Sequence, residues 1–143
     1  MRGIVIASHG KMAEGLLDSL TLFLGEEPEQ IEAVCLMAGE DLQTYTKRLK
    51  DAIDLVDTGD GAVVFCDLLF GTPCNCCAAI LRDEQYSNKT QVITGMNLPM
   101  LLEFSNLRTI ESSNEETKDH LMEVGKEGIK DFNAIVEEAR KNV

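Results

Sequence analysis

The fold of this chain is decided by the stretch Gly3-Ile4-Val5-Ile6-Ala7-Ser8-His9-Gly10. Its residues from Ile4 to Ser8 are apolar or small and carry no charge, which is typical of a strand buried on both faces of a parallel sheet. A helical pattern follows directly after Gly10. Open α/β sheets bind ligands at the carboxyl ends of their parallel strands, so we expect His9 to lie at the mouth of a crevice, beside helix N–H groups that favour anions.

The composition limits the classes of function. A chain of 143 residues buries about two-thirds of its unfolded surface, and we expect residues 1–143 to form a single domain. The net charge of −12 argues against nucleic acid as a partner, because its binders carry basic patches. A negative field also repels free anions, so a phosphate ligand is expected to arrive on a partner protein.

Other sequence features bear on localisation. No apolar run approaches the roughly 20 residues of a membrane span, and no cationic leader precedes an apolar segment of signal-peptide type. The five cysteines are odd in number and irregularly spaced. They predict reduced thiols in the cytoplasm and not a secreted disulfide framework.

Strand and helix patterns alternate along the chain. Short segments rich in apolar residues predict further strands at Ile31–Leu36, Ala62–Cys66 and Gln91–Thr94. Apolar residues at helical spacing predict five helices. The first follows Gly10 and the second follows Gly39. The others lie near Cys74–Leu81, over Pro99–Leu107 and in the segment that contains Leu121. The sequence Ser112-Ser113-Asn114 predicts a loop that caps this last helix. Gly125 and Gly128 then interrupt the helical pattern. The tail from Ile129 is expected to form a helix or a short edge strand.

Strands that alternate with helices predict parallel pairing with right-handed crossovers. We expect an α/β fold with a three-layer, flavodoxin-like open sheet, mostly parallel, in the order 2-1-3-4, with a possible antiparallel edge strand. The order reverses between the first and third strands, and that gap is where such sheets bind ligands. Because His9 and Asp67 directly follow those strands, we expect their side chains to meet there.

A histidine paired with a carboxylate has a specific chemistry. The carboxylate accepts the N–H of the ring, fixes its tautomer and leaves the other nitrogen as a nucleophile. Hydrolysis needs a hydroxyl that this nitrogen activates, but Ser8 points away along an extended strand and Thr72 lies in no nucleophile-elbow motif. Phosphoryl transfer to the ring itself needs only positioning and electrostatic support. The Thr72 hydroxyl, the amides near Gly71 and the helix start after Gly10 offer that support.

Three motifs together resemble one family, the mannose-family enzyme IIA components of the bacterial sugar phosphotransferase system. They are Ile4-Val5-Ile6-Ala7-Ser8-His9-Gly10, Asp67 followed by Gly71-Thr72-Pro73-Cys74-Asn75, and Gly95-Met96-Asn97-Leu98-Pro99-Met100-Leu101. The resemblance covers nearly the whole chain, with the motifs in order.

The resemblance implies a phosphocarrier for sugar uptake that needs no cofactor or metal. His9 would accept the phosphoryl group from HPr and donate it to a IIB component. Asp67 would hold the ring, while Gly10, Gly71 and Thr72 would bind the phosphoryl group. The family is a homodimer that exchanges its C-terminal edge strand, and it meets the membrane only through the IIC/IID permease.

The chain departs from the family where Phe70 replaces the first of two common glycines. We also expect the IIB partner to be a separate polypeptide. Two other interpretations stay open at this point. Cys74 and Cys77 have the C-x-x-C spacing of a thiol-redox site. Together with Cys66 and His9 they could also form a zinc site. The chain also suits a regulatory phosphoprotein of a dihydroxyacetone kinase system.

Overall fold

The computed structural model describes residues 1–110 and 114–143. Its strands and helices alternate along the chain, as the sequence predicts. The elements are β1 Gly3–His9, α1 Met12–Leu24, β2 Ile31–Leu36, α2 Leu42–Val56, β3 Ala62–Cys66, α3 Thr72–Ile80, α4 Glu84–Ser87, β4 Thr90–Ile93, α5 Leu98–Leu107, α6 Asn114–Glu127 and α7 Phe132–Lys141.

The described residues form one four-stranded sheet in the order β2-β1-β3-β4, and every pair of neighbouring strands is parallel. This confirms the predicted strand order and fold class. In the register of the central pair, Ile4 lies opposite Val63 and Ala7 lies opposite Cys66. The carboxyl ends of β1 and β3 therefore finish side by side, which is the geometry that the candidate site requires.

Both faces of the sheet are covered by helices. Along β1, Val5 and Ala7 pack into a core beneath α2 and α3, while Ile4 and Ile6 pack beneath α1, α5 and α6. These four side chains are fully buried, because successive residues of a strand point to opposite faces and each face here is covered. Burial on both faces explains why the sequence of β1 carries no charged residue between Ile4 and Ser8.

The C-terminal segment corrects one expectation. The possible antiparallel edge strand is wrong, because Phe132–Lys141 forms the helix α7. Phe132, Ile135 and Val136 recur at a spacing of three and four residues, which places them on one helical face. Asp131 caps the helix by accepting the N–H of Ala134 at 3.2 Å. None of the residues in α7 is buried.

Several element boundaries also differ from the prediction. Helix α3 begins earlier, at Thr72, and β4 begins one residue earlier, at Thr90. The polar segment after α3 contains the short helix α4, which Asp83 starts by accepting the N–H of Gln85. Gly125 does not end α6, since the helix continues to Glu127. The predicted capping loop at Ser112 and Ser113 lies outside the described residues.

Within residues 1–110 and 114–143, no helix is both long and apolar enough to cross a membrane.

Candidate functional site

The turn between β1 and α1 presents His9. Gly10 follows with φ 58°, a left-handed conformation that glycine adopts without steric cost. Its N–H donates to the carbonyl of Leu36 at 2.7 Å, so β2 holds this turn. The Gly10 amide is thus engaged within the fold, and the expected contact of Gly10 with a phosphoryl group stays a prediction. What Gly10 contributes is the shape of the turn.

Ser8 fixes the same turn from within the core. Its buried hydroxyl accepts the N–H of Ala13 at 2.7 Å and donates to the carbonyl of Gly10 at 3.0 Å. The hydroxyl therefore satisfies one of the N–H groups that the first turn of α1 leaves unpaired. Sequence reasoning inferred only that Ser8 points away from His9. A serine that precedes a predicted helix by a few residues was the available signal for this role.

Asp67 joins the site from β3. Its N–H donates to the carbonyl of Ala7 at 3.2 Å, which continues the strand pairing and places the side chain beside His9. The Asp67 Oδ2 atom accepts the backbone N–H of His9 at 2.8 Å and also lies 2.8 Å from Nδ1 of the ring. The structure thus brings together the two side chains that the strand order places at one crevice.

This contact decides which ring nitrogen is available. A carboxylate can only accept, so Nδ1 carries the hydrogen and Nε2 keeps its lone pair. The side chain of His9 is 45% exposed, whereas that of Asp67 is 11% exposed. The Asp67 Oδ1 atom is buried and has no hydrogen-bond partner among the described residues. Positive charge that develops on the ring therefore meets a poorly solvated carboxylate, which stabilises it strongly.

Gly71 lies beside the Cε1–Nε2 edge of the ring, and Thr72 follows it in the chain. Gly71 is the N-cap residue of α3, and no side chain caps that helix. Thr72 is the first helical residue, so its N–H is among those that the first turn leaves unpaired. The uncapped N-terminus of α3 supplies amide dipoles that attract an anion held at Nε2.

The space at Gly71 yields a direct prediction. A Cβ atom at this position would lie 2.6 Å from Cε1 of His9 and 3.3 Å from Nε2. We expect Gly71→Ala to displace the imidazole and to slow phosphorylation of the protein about 100-fold, the effect of roughly 1 Å of misplacement. The overall fold should be preserved, because Gly71 has an ordinary φ of −72° and the 3.2 Å approach of the Cβ atom to the Leu68 oxygen requires only a small local shift.

The control for Gly71→Ala is Gly15→Ala in α1. A Cβ atom at Gly15 meets no atom within 4 Å. Phosphorylation rates and thermal melts of both variants are compared with those of the unmodified protein. A Gly71→Ala protein with unchanged kinetics would show that the ring position does not matter.

The cysteines give no support to the redox and zinc interpretations. The Sγ atoms of Cys66 and Cys77 lie 3.9 Å apart in the core. Hydrogen bonding to Cys77 and burial raise the pKa of the Cys66 thiol, the opposite of the thiolate that the zinc interpretation requires of Cys66. Across the described part of the chain, no group of three or more His, Cys, Asp or Glu side chains is arranged to hold a metal ion. All five cysteines are free thiols.

The other histidine also pairs with a carboxylate. His120 of α6 places Nε2 2.9 Å from Oε1 of Glu103 on α5. No motif in the sequence signals this contact. Both side chains are partly exposed on these two helices, and the pair offers a matched control for His9 and Asp67.

Comparisons with known proteins find a matching family and several relatives. The family described as the PTS system fructose IIA component matches residues 3–122. The mannose-specific EIIAB component of Escherichia coli (strain K12) is 32% identical over 131 residues, which are 92% of this chain and 39% of that protein. The chain thus spans about two-fifths of the length of that relative. The fructose-specific EIIA component of Bacillus subtilis (strain 168) is 31% identical over 108 residues, covering 76% of this chain and 71% of that protein.

A solved structure extends the likeness to three dimensions. The crystal structure of phosphotransferase system component EIIA from Streptococcus agalactiae superposes with a TM-score of 0.81 at 30% identity. The match covers 94% of this chain and 99% of that one.

Proposed function

We propose, from the premise that this chain belongs to the PTS fructose IIA component family, that it is a phosphotransferase that carries a phosphoryl group on Nε2 of His9. The donor is the phosphohistidine protein HPr, and the acceptor is a IIB component that serves sugar uptake. The observation that carries the proposal is the 2.8 Å contact between Nδ1 of His9 and Asp67, since it leaves Nε2 as the free nucleophile.

The transfer proceeds by in-line displacement at phosphorus. The Nε2 lone pair forms the new N–P bond while the N–P bond of the donor histidine breaks, and the released electron pair stays on the donor nitrogen. Nδ1 keeps its hydrogen throughout, so the step needs no net proton transfer on His9. The ring gains positive character, and Asp67 stabilises it through the hydrogen bond to Nδ1.

The same geometry stabilises the transferred group. The phosphoryl oxygens carry the negative charge of the transition state, and preorganised donors lower its energy. We assign this role to Thr72, through its backbone N–H at the start of α3 and its hydroxyl, since the N–H of Gly71 is bonded to the Leu68 carbonyl. Gly10 shapes the turn that presents the ring, because its own N–H is bonded to Leu36.

The test is a reconstituted transfer reaction. The protein is incubated with phosphoenolpyruvate, enzyme I and HPr, and its intact mass is measured. The proposal expects a gain of one phosphoryl group per chain, which a IIB component then removes. An unchanged mass with an active HPr would overturn it.

We further propose that residues 1–143 form one IIA domain and that this domain works as a homodimer in the cytoplasm. Helix α7 supports the dimer, because Phe132, Ile135 and Val136 leave its apolar face exposed. The five free thiols suit a reducing compartment. Contact with the membrane is proposed to be indirect, through the IIC/IID permease that the IIB component serves.

The oligomeric state has its own test. We expect the protein to sediment as a dimer and Phe132→Lys to sediment as a monomer, because a charge on the apolar face of α7 opposes burial. Glu138→Lys, on the polar side of the same helix, is the control and should stay dimeric. A monomeric unmodified protein at micromolar concentration would refute the proposal.

A further inference from the structure

The turn that follows Asp67 contains an aromatic residue in an unfavourable backbone conformation. The N–H of Gly71 donates to the carbonyl of Leu68 at 3.0 Å, which closes a four-residue turn. Phe70 is the third residue of that turn and has φ 62°. A left-handed residue at the third position of a turn is normally glycine or asparagine, because a side chain with a Cβ is strained there.

The fold holds Phe70 in this conformation and gains little packing from it. Asn75 in α3 donates through Nδ2 to the Phe70 carbonyl at 3.1 Å, which fixes the peptide. The Phe70 side chain nevertheless stays in solvent, with 77% of the residue exposed. Strained residues that are not explained by packing cluster at functional sites, so the exposed ring calls for a partner outside the chain.

Phe70 belongs to an apolar rim at the strand ends where His9 lies. We define the rim as five exposed side chains at the carboxyl ends of the first three strands. Two members of the rim are next in sequence to residues at the His9 turn. Phe70 precedes Gly71, which lies against the imidazole, and Met37 follows Leu36, whose carbonyl accepts the N–H of Gly10. The members of the rim are Met12, Met37, Leu68, Leu69 and Phe70.

A macromolecule that delivers a phosphoryl group to Nε2 meets this rim, since its members follow the same strand ends as His9. Apolar contacts there would exclude water from the phosphoryl group during transfer, which strengthens the electrostatic interactions and prevents hydrolysis. The net charge of −12 adds to the case for a protein donor, because it disfavours free phosphate esters.

We infer that Phe70 is a specificity-determining residue that anchors the phosphohistidine-bearing donor protein by inserting its ring into an apolar pocket on that donor. The inference rests on the proposed function, in which His9 receives the phosphoryl group. Buried aromatic anchors often dominate the affinity of such interfaces. The chain keeps a strained turn because that turn projects the ring, so removal of the ring should weaken docking while the fold is preserved or stabilised.

The experiment compares two phosphoryl donors on the same variants. One donor is phospho-HPr, and the other is phosphoramidate, a small N-phosphoryl compound that needs no docking surface. For Phe70→Ala and Phe70→Gly we expect kcat/KM with phospho-HPr to fall about tenfold, mainly through KM. The rate with phosphoramidate should be unchanged, because His9 and Asp67 are intact.

Two further variants and a measurement of thermal unfolding complete the design. Phe70→Tyr keeps the ring and should retain transfer, whereas Phe23→Ala removes an exposed aromatic ring near the end of α1 and serves as the control. Phe70→Gly should raise Tm by about 3 °C because it relieves the left-handed strain, and Phe70→Ala should not.

The outcomes separate the two proposals. If phospho-HPr transfer to Phe70→Ala matches that to the unmodified protein, the anchor role is wrong while the phosphocarrier function stands. If neither donor labels the unmodified protein, the proposed function itself is wrong. If both donors slow equally in Phe70→Ala, the residue acts on His9 and not on docking, which also overturns the inference.

Discussion

A His9→Ala variant is expected to gain no phosphoryl group from phospho-HPr. The substitution removes the nucleophile, and no other described side chain has a nucleophilic nitrogen beside Asp67 and the start of α3. Because His9 is 45% exposed and packs little, the variant should fold normally. Intact mass after incubation with phosphoenolpyruvate, enzyme I and HPr measures the effect directly.

The control for His9→Ala is His120→Ala. His120 is similarly exposed and also bonds to a carboxylate, yet it lies on the helical surface of α6. The His120→Ala variant should gain a phosphoryl group as the unmodified protein does. Retention of the phosphoryl group in His9→Ala, or its loss in His120→Ala, would place the phosphorylation site elsewhere.

The second large effect is expected at Asp67. Asp67→Ala removes the acceptor for Nδ1–H, so the tautomer and the orientation of the ring are no longer fixed, and the charge that stabilises the ring is lost. Losses of this kind slow enzymatic reactions by about 10²–10⁴-fold. We expect a folded protein whose phosphorylation by phospho-HPr slows by about 10³-fold, measured by rapid quench.

Asp67→Asn separates charge from orientation. In this site one carboxylate oxygen accepts both the backbone N–H and the Nδ1–H of His9. The backbone N–H can only donate, so the amide oxygen of asparagine should occupy the same place and keep the tautomer. The loss then reflects charge alone, and we expect about tenfold slower transfer, the difference between charged and neutral hydrogen bonds.

Glu103→Ala is the matched control, since it removes the carboxylate of the His120 pair. Its transfer rate should equal that of the unmodified protein. If Asp67→Ala transferred at that rate as well, Asp67 would have no part in the mechanism.

The sequence predicted the sheet well because the core strands carry a local signal. An uncharged run such as Ala62–Cys66 is explained by burial on both faces, and alternation with helices restricts the order of the strands. The meeting of His9 and Asp67 followed from that order and needed no side-chain detail. Long-range geometry was predictable here because topology alone determines it.

Features that depend on hydrogen-bond geometry were not predictable. The sequence does not show that the Gly10 N–H is taken by Leu36, or that the Ser8 hydroxyl caps α1. The sequence allows either a helix or a strand in the tail, because its apolar spacing suits α7 while the family resemblance implies an edge strand. The left-handed conformation of Phe70 runs against its residue preference, so only the fold could reveal it.

The central claim is that Asp67 holds Nδ1 and that Nε2 carries the phosphoryl group. Nitrogen-15 and phosphorus-31 NMR of the phosphorylated protein, labelled at histidine, tests it directly. The account predicts that phosphorus couples to Nε2 of His9 and that Nδ1 keeps its hydrogen. Coupling of phosphorus to Nδ1, or to any nitrogen of His120, would contradict it.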